Sequence, residues 1–303
     1  MSDIIGIGAS VYDTVMQTDR FPKEDTKLET KATLAFGGGP CATALCAAST
    51  LGASTAYLGC LGDDAYGQFM LEDFKRFGVD TSGVHIKPNC VSFHSFVLLN
   101  TASATRTCLW NKGSVPALLP EEVDVLAVRH AKILHLDGHQ LDAARHAAKI
   151  AKKAGVKVSL DAGGVYPGID QLLPDVDFLI PSEEFAQAFT GKSNTQDAVK
   201  SLYDRFRPEF VIATQGAKGG IIYDGSEFCH YPAFLVNAVD TNGAGDVFHG
   251  AFCAAYTKGM RLLSCAQFAS AVSALKCTKT GARTGVPTYQ ETIEFLNQEG
   301  IVV

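Results

Sequence analysis

The feature that most narrows the fold is a change of rhythm beyond Ala131. Residues 133–135, 156–160 and 178–180 are short apolar runs of strand length, and residues 141–154 between the first two have the length and period of a helix. Apolar strands alternating with helices imply a parallel sheet covered on both faces, because each crossover lays a helix against the sheet. Ligands of such sheets lie beyond the carboxyl ends of the strands, which is where Asp161 falls. With 303 residues, 47% of them hydrophobic, the chain can bury the core of one large α/β domain with an insertion.

Charge and cysteine usage exclude several classes. A net charge of −6 argues against nucleic acid or an anionic membrane as a partner, so any anion must be bound locally. Nine cysteines, scattered singly from Cys41 to Cys277 without a CxxC pair, suit free thiols in a reducing compartment, and the expected location is the cytoplasm. The start of the chain has Asp3 and an apolar strand where a signal peptide would need a basic segment, and no apolar run reaches a membrane-spanning length. His135 and His139 stand four apart, but Asp137-Gly138 between them disfavours a helix and no third ligand is evident, so zinc is not expected.

The chemistry concentrates in DTNGAGDVFHG, residues 240–250. Gly243, Ala244 and Gly245 form a turn that runs into Val247, Phe248, Ala251, Phe252 and Ala255 at helical spacing. The first turn of a helix has free N–H groups and the positive end of the macrodipole, so this loop can surround an oxyanion or phosphate. Asp246 beside it either caps the helix or takes the proton of an attacking hydroxyl. Elsewhere, Gly6-Ile7-Gly8 follows a strand, but a strand-like run with Val11, Asp13 and Val15 comes next, so a dinucleotide fingerprint is weakly supported. Residues 11–36 read as strands, and a glycine cluster at 37–39 opens a helix of small residues including Ala42, Leu45 and Cys46. Residues 91–99 and 106–110 are β-rich runs around a polar turn at 100–104, too apolar on both faces to stand alone. Arg106 and Asn111 at their edge are candidate substrate contacts or solvated surface.

The run from Asp240 to Phe248 resembles D-T-x-G-A-G-D-x-F, a signature of the ribokinase-like (PfkB) sugar kinases, and the other landmarks of that family recur in order. The resemblance spans essentially all of residues 1–303 and implies one three-layer αβα domain with a mostly parallel central sheet. A small β-sheet lid would come from about 10–36 and 90–112. It implies that Asp246 is the catalytic base and that Gly243, Ala244 and Gly245 supply the anion hole. It places Asp13 on sugar hydroxyls with Gly38 and Gly39, and puts Thr43 where the family has Asn. Residues 59–67 match G-x-x-G-x-D-x-x-G beside the sugar, with Asp63 and Asp64 as loop and cap residues. In PSEEFAQAFTG, Ser182 replaces the Asn and Phe185 the Glu of N-x-x-E, so either Glu183 serves magnesium through water or the nucleotide holds the ion. Thr214, Gly216, Lys218 and Gly219 match the nucleotide loop T-x-G-x-x-G, with Ser270 on the same side. Residues 281–287 would border adenine and, with Asp240 and Asn242, form a monovalent-cation site open to potassium.

The resemblance therefore implies ATP and magnesium, a small sugar as acceptor, and a homodimer through the outer lid face carrying Phe93, Phe96 and Leu98. Its motifs are most similar to the sulfofructose kinase branch, yet Asp137-Gly138-His139-Gln140 lacks the sulfonate-binding Arg of that branch. A nucleoside kinase of the same fold and a non-catalytic sugar- or nucleotide-binding regulator are the alternatives.

Overall fold

The computed structural model describes residues 2–103 and 105–303; Met1 and Ala104, the last residue of the expected 100–104 turn, lie outside the described residues. Strand β1 (Ile4–Ile7) enters the core, and the chain turns at once into β2 (Val11–Thr18) and β3 (Ala32–Gly38) before α1 (Pro40–Thr50), β4 (Thr55–Gly62), α2 (Ala65–Arg76) and β5 (Val84–Lys87). Strands β6 (His94–Asn100) and β7 (Thr105–Asn111) return to β2. The alternating half follows as α3 (Val125–His130), β8 (Ile133–Leu136), α4 (Leu141–Ala154), β9 (Lys157–Ala162), β10 (Phe178–Pro181), α5 (Glu183–Thr190), α6 (Thr195–Phe206) and β11 (Phe210–Thr214). An antiparallel edge, β12 (Gly220–Tyr223) and β13 (Phe228–Tyr231), precedes α7 (Ala244–Thr257), α8 (Leu262–Lys276) and α9 (Tyr289–Gln298).

The central sheet has nine strands in the order β13-β12-β11-β10-β9-β8-β1-β4-β5, parallel except at the β12 and β13 edge. Period-two alternation splits its side chains between two cores. Ile4, Ile133, Phe178 and Ile180 pack with Leu45 of α1, Phe252 of α7 and Phe268 of α8. Ile5, Leu134, Leu136 and Leu179 pack on the other face with Ala147 of α4 and Leu202 of α6. Burial on both faces explains why these strands are continuously apolar in sequence.

The second sheet, β3-β2-β6-β7, stands on the end of β1 and has a small core of Val15, Val97 and Leu99. Register decides its faces. Asp13, Ser95 and Trp110 are paired neighbours on the inner face, as are Leu99 and Arg106; Tyr12, His94 and Asn111 share the outer face. Phe96 pairs with Leu109 on that outer face, where both are exposed. Phe93, grouped with Phe96 and Leu98 in the sequence reading, has the opposite parity and packs 5.8 Å from Trp110 and 6.4 Å from His139, ring centre to ring centre. It belongs to the cleft and not to the outer lid.

Candidate active site

Strands β1, β8, β9, β10 and β11 end at one edge of the sheet, and the N-terminus of α7 faces that edge. Gly243 takes φ 75°, a conformation that favours glycine, and a side chain there would strike Ala282. A Cβ on Gly245 would meet nothing within 4 Å, so this backbone fronts open cleft. The N–H groups of Gly243, Gly245 and Asp246 have no partner among the described residues, whereas that of Ala244 closes a turn on the Thr241 carbonyl at 3.3 Å. The free donors are thus Gly243, Gly245 and Asp246. Ala244, assigned a donor role from the motif, spends its N–H on the turn.

The Asp246 carboxyl lies in the first turn of α7, next to Gly245, which borders the cleft. Burial, and next to it the Asp161 carboxylate at the end of β9, push its pKa up to about 7, against the opposing influence of His249. One turn along α7, His249 holds Nε2 3.2 Å from Asp161 Oδ1. Behind it His135, 5.9 Å away ring to ring, is wholly buried and kept neutral, with its pKa lowered to about 4 by burial and then by His249. His135 and His139 do not converge, because His139 turns instead to Asp137.

On the side expected from the sequence to take the acceptor, buried Asp13 accepts a 2.6 Å hydrogen bond from Ser95 Oγ. Burial raises its pKa, outweighing the Ser95 hydrogen bond and the charge of Arg283. Asp137, at the end of β8, accepts from the N–H groups of Ala9 (2.8 Å), Cys41 (3.1 Å) and His139 (2.9 Å). Burial works against that carboxylate, but His139 and the backbone donors hold its pKa below the usual value. Gly38 and Gly39 lead into α1 beside Asp13. Thr43 is fully buried and its hydroxyl accepts from Arg283 Nε at 3.2 Å, so it faces the core and not the sugar space. Arg283 also donates to Asp73 and to the Gly38 carbonyl, both at 2.6 Å.

The two lid candidates separate. Arg106 lies on the inner face and reaches Thr241 Oγ1 at 3.3 Å, beside the glycine turn. Asn111, five residues along the strand, points outward and accepts from the Gly113 N–H at 2.9 Å. A small cavity of about 130 Å³ lies next to the acceptor space, bordered by Ser10, Phe93, Lys112 and His139. The buried Ser10 hydroxyl has no partner among the described residues.

The cleft expected from the sequence to take nucleotide has a volume of about 710 Å³. Ser182, Glu183, Thr214, Gly216, Gly219 and Ser270 all border it. Ser182 caps α5 by accepting from Phe185 N at 3.0 Å, and Ser270 donates to the Pro232 carbonyl at 2.7 Å. Glu183 accepts from Thr195 and from Gln215 (2.7 Å), which lower its pKa and keep it ionised. Lys218 is exposed at the rim and its charge reaches Glu183. At the segment expected to form a monovalent-cation site, the Asp240 carboxylate accepts from Asn242 N and Gly281 N, each at 2.8 Å. The Asp240 and Asn242 carbonyls both accept from the ammonium of Lys276. Among the described residues, no three His, Cys, Asp or Glu side chains cluster as a metal cage, and no helix is long and apolar enough to cross a membrane.

Residues 1–289 match the family model described as pfkB family carbohydrate kinase. The chain belongs to the PfkB family of carbohydrate kinases. As such it is a phosphotransferase acting on an alcohol group. It is 30% identical over 305 residues to a deoxyribokinase of Salmonella typhi, covering 97% of this chain and 99% of that one. It is 30% identical over 297 residues to a ribokinase of Haemophilus influenzae, covering 96% and 97%. The structure of Arabidopsis thaliana ribokinase complexed with ribose and ATP superposes with a TM-score of 0.86 at 27% identity, over 97% of this chain and 98% of that one. These similarities establish the family and do not assign the chain to the sulfofructose kinase branch.

Several residues of this PfkB kinase's site went unassigned in the sequence. Asp137 and His249 stand within motifs that give them no role, Arg283 lies in the 281–287 loop, and Lys276 belongs to none of the motifs. A lone basic residue in an apolar or glycine-rich stretch carries one signal, that its burial demands a partner. The partner itself lies up to 245 positions away, as with Arg283 and Gly38.

Proposed function

We propose that this PfkB kinase transfers the γ-phosphoryl group of ATP to a hydroxyl of a small sugar or sugar derivative, with Asp246 as general base. One observation carries the reading: a carboxyl raised toward neutral pH lies next to unpartnered amides at the head of α7, where Gly245 borders a nucleotide-sized cleft. A base near pH 7 is half-ionised when it meets the acceptor and basic enough to take its proton. Gly243, Gly245 and the Asp246 N–H would stabilise charge on the transferring phosphoryl, and Arg106 would add its guanidinium from the lid. Asp13, Gly38 and Gly39 would orient the acceptor; Ser182, Thr214, Gly216, Lys218, Gly219 and Ser270 would bound the nucleotide.

Magnesium, when bound, supplies charge neutralisation on the phosphates. The ionised Glu183 at the cleft would hold it through water. The exposed outer lid face, with Phe96 and Leu109, supports a homodimer through the lid, which sedimentation of the purified protein checks.

The test is ADP formation from magnesium ATP across pentoses, hexoses, nucleosides, sugar acids and sugar phosphates. The charged sugars belong in the panel because Lys112 and His139 border the small cavity. Release of ADP with one class and a phosphorylated product supports the reading. Nucleosides as the sole acceptors would replace the sugar, and ATP binding without turnover on any class would favour a binding regulator.

A further inference from the structure

Lys276 is the last residue of α8, and no part of it is exposed. Burying an ammonium is costly unless its protons are taken up. Its Nζ donates to the Asp240 carbonyl at 2.9 Å and to the Asn242 carbonyl, two main-chain oxygens flanking Thr241 at the entry to the glycine turn. The same segment is tied to the end of α8 through the Cys277 carbonyl, which accepts from Val239 N (2.8 Å) and Asp240 N (3.1 Å). Ser273 Oγ adds a bond to the Ala244 carbonyl at 2.8 Å.

A planar trans peptide points its C=O and N–H in opposite directions. Fixing the Asn242 carbonyl on the ammonium therefore turns the Gly243 N–H away from it, and that N–H is one of the three free donors of the turn. Burial lowers the Lys276 pKa, and the neighbouring Asp240 and Asp246 carboxylates oppose that by attracting the charge. A positive charge held by converging main-chain oxygens is also what a bound monovalent ion would provide. The oxygens expected to bind potassium, those of Asp240 and Asn242, are already occupied by a covalently attached cation.

We infer that the Lys276 ammonium takes the place of a monovalent cation in the scaffold of the anion hole, so that this protein binds nucleotide without help from potassium. The role is one of positioning, since Lys276 bonds main-chain oxygens of the loop, and the nucleotide part of the inference rests on the kinase reading above.

The experiment compares melting temperature and the dissociation constant for magnesium ATP in potassium chloride and in choline chloride at matched ionic strength. It uses the wild type, Lys276→Ala, which opens space at the carbonyls, and Lys276→Met, which keeps the stem without the charge. The wild type is expected to show the same values in both salts. Lys276→Ala should bind magnesium ATP about tenfold or more weakly in choline, the scale of one charge-assisted hydrogen bond lost, and recover in potassium. Lys276→Met should stay weak in both salts. A wild type that is stabilised or bound more tightly in potassium than in choline overturns the inference, as does a folded Lys276→Ala that potassium leaves unchanged. If the variants fail to fold, the wild-type comparison alone decides. If the wild type does not bind ATP, the kinase reading falls, while the melting temperatures still decide whether potassium enters the site.

Discussion

The two sides of the cleft are built from different materials. On the side proposed for the acceptor, buried polar side chains have partners in place, Asp13 with Ser95, Asp137 with three backbone N–H groups and Arg283 with the Gly38 carbonyl, and the Ser10 hydroxyl is the exception. On the nucleotide side the working groups are main-chain amides at Gly243, Gly245 and Asp246 left without partners, in front of a wide space. A buried, fully paired network holds a single shape, because breaking any member strands the others in a low dielectric. Free amides at a helix end tolerate emptiness, since water reaches them, and they bind an anion of any origin when it arrives. On the proposed reading, selectivity and phosphoryl handling are thus separated in space, with the base Asp246 at their boundary.

The largest expected effect breaks that boundary. Asp246→Asn should lower turnover by about 10²–10⁴-fold while leaving magnesium ATP affinity near wild type, as rapid-mix kinetics and calorimetry would show. The substitution should also stabilise the fold with a defined sign. A carboxyl raised from 3.8 to about 7 favours the folded state while protonated, and this contribution is lost as pH rises through about 7. The variant should therefore melt above the wild type at pH values beyond that range and converge with it in acid. Equal melting at all pH values would mean that Asp246 is solvated.

Arg283→Met attacks the acceptor side alone. Losing the buried partner of Asp73 and of the Gly38 carbonyl should cost about 3 kcal/mol by urea denaturation, the low end for a broken buried pair, because Arg76 still contacts Asp73. A loss well under 1 kcal/mol would show that the sugar loop keeps its shape unaided.

A subtler change tunes the boundary. Activity through a general base rises with pH as the base ionises, so the acid limb of kcat/KM should centre near the Asp246 value of about 7. Asp161→Asn removes the neighbouring negative charge, which eases ionisation of Asp246, and the limb should move to lower pH. A limb that stays in place would leave burial as the sole cause.

The smallest expected change is on the nucleotide side. A Cβ at Gly245 meets no protein atom within 4 Å, so Gly245→Ala should melt with the wild type yet weaken magnesium ATP by about tenfold, the methyl standing where the phosphate approaches. A parallel loss of stability and affinity would erase the distinction between the two sides.

Much of this was readable from residue order. The strand and helix rhythm beyond Ala131 implied the parallel sheet, because burial on both faces demands unbroken apolar runs, and Gly243 to Asp246 announced a helix end exposed to a ligand. Parity along a strand could also have separated Phe93 from Phe96 and Arg106 from Asn111, since an odd spacing puts two side chains on opposite faces. The tertiary structure alone decided the long-range pairings. Thr43 fills the place of a sugar contact in the motif but belongs to Arg283, 240 positions away, and the carbonyls of Asp240 and Asn242 belong to Lys276 at the end of α8, 36 and 34 positions on. Local propensity and periodicity act over a few residues and are written in the chain. Which buried charge meets which carbonyl depends on how the layers stack, and only the packed molecule determines that.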